Sequence, residues 1–223
     1  MRLHADLTRR AVVNSLELEW VASPMAGVHR RMLDRKGDEI ARATSIVRYQ
    51  PKSFFSSHTH SGGEEFLVLE GVFSDESGDY GAGTYVRNPV GSSHTPFSKE
   101  GGTIFVKLQQ FHPGDQQHVC VDTKAALWRQ GLVEGTRVLP LHQYRGEVVS
   151  LVDCAQGVAF PECRYPGGQE ILVLEGELND HLGVHKKGTW LRNPPGSCQQ
   201  HGSDHGCLLY VKTGHLISGA LAL

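Results

Sequence analysis

Nowhere in the 223 residues is there a run of about 18 apolar side chains, so the sequence offers no membrane-spanning helix. Charged residues 1–10 lead into no apolar stretch, so no secretory leader is expected. Neither sign of charge dominates: 22 Lys and Arg against 24 Asp and Glu leave a formal net charge of −2 and a pI near 6.7. That balance provides no electrostatic footprint for nucleic acid or an anionic membrane. An even cysteine framework is also missing. The five cysteines are Cys120, Cys154, Cys163, Cys198 and Cys207, with no C-x2-C among them, which suits a reducing compartment and a cytoplasmic protein. No segment of useful length carries apolar residues at a 3.6-residue period, so helices are not expected.

What is present is an internal repeat. Residues 62–107 match residues 167–212 without a gap, through GGEEFLVLEG against GGQEILVLEG and GTYVRNPVGS against GTWLRNPPGS. Each copy consists of short β-rich runs, in the first at 44–49, 66–69, 84–87 and 103–108, separated by Gly, Pro, Asn and Asp clusters. The runs 66–69 and 171–174 are apolar at consecutive positions, the pattern of strands buried on both faces. The expected fold is therefore all-β: two tandem jelly rolls, or double-stranded β-helices, over residues 1–112 and 113–223. The polar stretch 111–118 reads as the connection. Residues 1 to about 35 read as an extended arm around 20–27, of the kind that packs on a partner subunit.

The first copy carries metal-binding chemistry. His58 and His60 are separated by one residue, and alternate side chains of a strand share a face, so both can meet one ion while Thr59 points away. Glu64 keeps that parity across Gly62 and Gly63, whereas Glu65 does not and is read as a supporting or surface group. His94 closes a second segment, G-x5-P-x-G-x2-H from Gly83. Three imidazoles and a carboxylate suit a borderline divalent transition metal. The ligand set does not select among zinc, iron, nickel, manganese and copper, and an octahedral ion would keep two positions open for a ligand.

In the second copy all four positions change, to Cys163, Tyr165, Gln169 and Gln199. Arg87 and Arg192, Lys107 and Lys212, and Glu65 and Glu170 persist as pairs. What survives loss of the ligands is read as architectural, in turns or surface ion pairs, so neither Arg87 nor Lys107 is assigned to catalysis. Pro96 is expected to shape the pocket beside His94, and Phe97 to be a core aromatic. A competing cluster of Cys198, His201, His205 and Cys207, with Cys163 beside Cys198, would select zinc or copper, but it lacks the long spacer of a zinc finger.

Both segments resemble the two signature motifs of the cupin superfamily, with a non-glycine at the head of the first and Ser98 where the second ends in Asn. More narrowly, HTHSGGEEFLVLEGVFSD with GSSHTPF is similar to the cupin domain of ChrR-type anti-sigma factors, and to the related enzymes that cleave acetylacetone. The resemblance implies a bicupin with one metal, zinc first with iron, nickel or manganese as alternatives, a homodimer, and a regulatory role in sensing a small molecule or oxidant. The alternative it implies is an Fe(II) dioxygenase acting on a 1,3-diketone or similar enolisable ketone. Binding of a sigma factor is not expected, because the H-x3-C-x2-C zinc motif of the sigma-binding region is absent from this sequence.

Overall fold

The β-branched and aromatic runs form strands that account for most of the computed structural model, which describes residues 1–217. Among the described residues the one helical element is a 3-10 turn at Ser15–Glu17, and no helix is long and apolar enough to cross a membrane.

The chain divides into two units. The first comprises Met1–Ala5 and Leu18–Ala125. Its main sheet is antiparallel, in the order Arg2–Leu3, Val28–Gly37, Ala41–Tyr49, Gly102–Leu108, Glu64–Asp75, Thr84–Asn88, Val119–Asp122. The twelve-residue strand Glu64–Asp75 serves two sheets. Its first half pairs with Gly102–Leu108 and Thr84–Asn88, and its second half with Gly78–Gly81 and Phe97–Ser98. Between the sheets lies a core of Val28, Val47, Phe66, Val68, Phe73, Tyr80, Val86, Ile104 and Val106. This is the double-stranded β-helix expected from the turn spacing.

Leu67, Tyr85 and Phe105, on the opposite face of the same strands, are also buried, which explains the uninterrupted apolar run. Charged members of that face are buried with them. The expectation that Arg87 and Lys107 sit in turns or surface ion pairs is corrected, since both have no exposed area. Arg87 pairs with Glu65 and, at 2.7 Å, with Asp115, and its guanidinium lies 3.9 Å over the Phe111 ring. Lys107 Nζ donates to Thr44 Oγ1 at 3.0 Å. Glu65, 1% exposed, belongs to this ion pair and is not a surface group.

The second unit repeats the plan over Asp6–Glu17 and the chain from Ala126 onward. Its sheet order is Arg129–Gln130, Thr136–Tyr144, Glu147–Cys154, Cys207–Thr213, Gln169–Asp180, Thr189–Asn193, Ala11–Asn14. The last strand differs from the sequence expectation. Residues 11–14 pair with Thr189–Asn193 in the register in which 119–122 pair with Thr84–Asn88: Ala11 faces Arg192 as Val119 faces Arg87. The edge of the second barrel is thus closed by a segment from ahead of the first, and the segment just past the first barrel closes the first barrel's own edge. A division at 112/113 follows the sequence repeat, whereas the contacts follow these two edge strands. The arm is likewise shorter than expected from sequence, because Val28–Gly37 is a full strand of the main sheet and Val21–Ala22 pairs with it.

Candidate metal centre

Two short strands bring the first copy's motifs side by side: His58–Thr59 pairs with Ser93–His94, with His94 directly opposite His58. His60 is stitched to the same loop, its N–H donating to the Ser92 carbonyl at 2.8 Å while its carbonyl accepts from Gly91 N–H at 2.9 Å. The chain then turns at Gly63, whose φ of 76° favours glycine, and where a Cβ would lie 2.3 Å from the Phe111 ring. Beyond it Glu64 opens the long strand, flanked by Asn88 and Leu108.

This local folding converges the four side chains. One ligand atom from each of His58, His60, Glu64 and His94 lies within 4.8 Å of the others. The three imidazole centroids are 4.7 to 5.0 Å apart, and Glu64 Oε2 is 3.4 Å from His60 Nε2 and 3.5 Å from His94 Nε2. His60, Glu64 and His94 are buried, and His58 is half-buried. Glu65 stands outside the cluster, with Arg87.

The ring orientations are fixed from behind. His58 Nδ1–H donates to the Ser56 carbonyl at 2.9 Å and His94 Nδ1–H to Asp75 Oδ2 at 3.1 Å. Ser92 Oγ spends its proton on the Pro89 carbonyl at 2.6 Å, so it accepts from His60 Nδ1–H at 3.0 Å. With every Nδ1 acting as the donor, each neutral ring keeps its Nε2 lone pair free. Burial pulls the His60 imidazole below its usual pKa, against the opposing pull of Glu64, which favours that neutral form. Asp75 is held in turn by Tyr80 Oη–H at 3.0 Å and Ser77 N–H at 2.8 Å, and Asn88 Nδ2 donates to Glu64 Oε2 at 3.1 Å.

One consequence tests whether an ion fits. His60 Nε2 and His94 Nε2 are buried with no hydrogen-bond partner among the described residues. Two orphaned buried lone pairs aimed at a third imidazole and a carboxylate are costly in an apolar barrel unless something accepts them. Anchoring of each imidazole's far nitrogen by a carbonyl, hydroxyl or carboxylate is also what a metal-bound histidine needs. The residues present fit a divalent transition metal.

A cavity of about 470 Å³ opens beside the cluster, lined by His58, His60 and Glu64 at one end. Tyr49, Phe55, Val47, Ile104, Val106 and Leu108 form much of its wall, and Pro96 borders it as the sequence predicts. Phe97 is not on this wall; it is half-buried, with Lys99 Nζ 5.6 Å from its ring. Burial first, and then Glu64, push the Tyr49 hydroxyl pKa up, so it stays a protonated donor.

In the second barrel the equivalent site is an amide network. Gln169 Oε1 accepts from Asn193 Nδ2 at 3.1 Å and from His201 Nε2–H at 3.1 Å, and burial lowers the His201 pKa to about 4. Asp180, the counterpart of Asp75, is paired with Arg10 and, at 3.0 Å, with His185. The competing sulfur cluster is not assembled. Cys198 is exposed, His205 reaches out to Glu177 at 3.7 Å, and Cys207 is buried opposite Cys154. Cys163 pairs with Gln199 and Arg164 with Cys198, and both thiols are free.

Tandem jelly rolls, with a His3Glu cluster in the mouth of one, define the class: this is a bicupin. Solved structures agree on the fold. A protein of Nostoc punctiforme provisionally described as a dioxygenase is 16% identical with a TM-score of 0.77, over 97% of this chain and 86% of that one. The bacterial pirin YhhW of Escherichia coli in complex with nickel(II) is 11% identical with a TM-score of 0.66, over 94% and 100%. A cupin 2 conserved barrel domain protein of Leptotrichia buccalis is 10% identical with a TM-score of 0.62, over 96% and 99%. Comparison with curated proteins finds no match. The family model of the ChrR cupin-like domain matches twice, over residues 8–112 and 116–217, and the chain belongs to that family.

Proposed function

We propose that the first barrel is a metal-dependent site for a small organic molecule, with His58, His60, Glu64 and His94 as ligands, and that its chemistry is oxygenative cleavage of an enolisable ketone. The observation that carries this is the pair of buried Nε2 atoms without a hydrogen-bond partner, in a cluster that borders a largely apolar cavity. Held by His58, His60, Glu64 and His94, a divalent iron would supply Lewis acidity toward an enolate and a redox partner for O2. The chain's own residues do the rest. Ser56, Ser92 and Asp75 hold the rings in their ligating tautomers, and the apolar wall excludes water from the reacting end. Tyr49 offers a hydroxyl proton to an oxygen bound in the cavity.

The test is oxygen uptake by Fe(II)-reconstituted protein with acetylacetone and longer 1,3-diketones. One O2 consumed per diketone cleaved supports the reading, and no uptake across the series by protein shown to hold stoichiometric iron rejects it. A ligand-responsive regulatory role is the second reading, favoured by membership of the ChrR cupin-like family, and it would use the same pocket with zinc. In either case Asp75→Asn should weaken metal binding about 10- to 100-fold, because His94 loses its charged anchor. Competition with a chromogenic chelator measures this, and an unchanged affinity would count against Asp75 having that part.

A further inference from the structure

The first barrel's cavity has a second polar end. Glu64 pairs with Leu108, Leu108 with Ala43, and Ala43 with Arg35, a single row across four adjacent strands. Directly opposed residues of neighbouring strands share a face, and all four line the cavity. Three strand spacings put Arg35 about 14 Å from Glu64 measured along the sheet. The residues between them, Leu108 and Ala43, are apolar.

Arg35 is only 5% exposed, yet among the described residues it makes no ion pair. Its hydrogen bonds both come from Nη2, to the main-chain carbonyls of Asp38 and, at 3.4 Å, of Glu39. The acids nearby attract Arg35 only from beyond ion-pair distance: the exposed Asp38 carboxylate bonds the N-terminal ammonium at 2.8 Å, and that of Glu39, at the cavity's rim, bonds Arg30 at 3.4 Å. A buried guanidinium normally has a carboxylate or phosphate partner, because removing its charge from water is costly without one. Arg35 has donors to spare for an anion inside the cavity.

We infer that the cavity takes an extended amphipathic carboxylate, with its oxygen-bearing end at the His58–His60–Glu64–His94 cluster and its acid group on Arg35. The inference rests on the pocket proposed above and narrows its preferred ligand from enolisable ketones in general to a keto acid whose acid group lies at the far end of an apolar spacer.

Octanoate and octanamide, equal in length and differing in charge, are the probes. Each is titrated calorimetrically into the protein as purified and after EDTA treatment. Wild type should bind octanoate about 10- to 100-fold more tightly than octanamide, the ratio expected of charge-assisted hydrogen bonds. Arg35→Met, folded by circular dichroism, should lower octanoate affinity in the EDTA-treated protein to the octanamide level and leave octanamide unchanged. Equal binding of the two probes by wild type, or undiminished octanoate binding by Arg35→Met without metal, overturns the inference. Equal binding of the two probes by EDTA-treated wild type overturns the inference even if the variant does not fold. Because the EDTA arm needs no ion, failure of the metal reading leaves this result standing, and the reverse also holds.

Discussion

Alanine at His60 or His94 should take the purified protein from about one equivalent of transition metal per chain to less than about a tenth. Losing a direct ligand exceeds the 10- to 100-fold penalty typical of a supporting residue. Elemental analysis of protein expressed without added metal gives the readout. Two substitutions serve as controls: Gln199→Ala, at the position equivalent to His94 in the second barrel, and Glu65→Gln, outside the cluster. Neither should change the metal content. Stoichiometric metal in both histidine variants would place the ion elsewhere and remove the basis for the oxygenase and sensing readings alike. The expected loss is large because each of these nitrogens has its other ring atom committed to Ser92 or Asp75, so the remaining ligands cannot swing over to compensate.

Arg87→Met should be the most damaging change away from the cluster. It removes the positive partner of two carboxylates, Glu65 and Asp115, each about 1% exposed, while leaving both in place. Breaking a buried pair from one side costs about 3–5 kcal/mol, so a melting temperature lower by on the order of 10 °C is expected for a chain of this size. The double variant Glu65→Gln with Arg87→Met should recover part of the loss, since one stranded charge is then gone. Thermal melts of the single and double variants form the test. A single variant within about 1 kcal/mol of wild type would show the network to be solvated, not buried.

The fold was legible because turn residues recur on a fixed interval and the same ten-residue phrases appear twice. His58, His60, Glu64 and His94 stood out because their types and spacing are unusual together. The residues that hold them were not legible, and the reason is specific. Asp75, Asn88 and Ser92 recur as Asp180, Asn193 and Ser197, so comparing the copies marks them as architectural. The structure shows the same positions serving both purposes: Asn88 donates to Glu64 as Asn193 donates to Gln169, each at 3.1 Å. Glu65, Arg87 and Lys107 misled in another way. Charged residues in a strand suggest a wet face, but here each shares its face with a buried Leu67, Tyr85 or Phe105 two positions away, and half of the pairing that neutralises Arg87 comes from Asp115, 28 positions later. Arg35 gave no signal because its place opposite Ala43 depends on strand register alone.

The crossed ownership of the edge strands has a practical consequence for anyone dissecting this protein. A gene fragment ending at residue 112 would encode a first barrel stripped of Val119–Asp122, leaving the backbone groups of Thr84–Asn88 open to pair with another molecule. The contiguous stretch 18–125 keeps that strand and forgoes the two-residue pairing of Arg2–Leu3 with the few bonds that Met1 and Ala5 make beside it. The trailing barrel has no such simple excision, because its outermost strand is translated more than a hundred residues ahead of the rest. Until residues 119–122 leave the ribosome the leading half lacks its own border, and the trailing half must recover a strand made long before it.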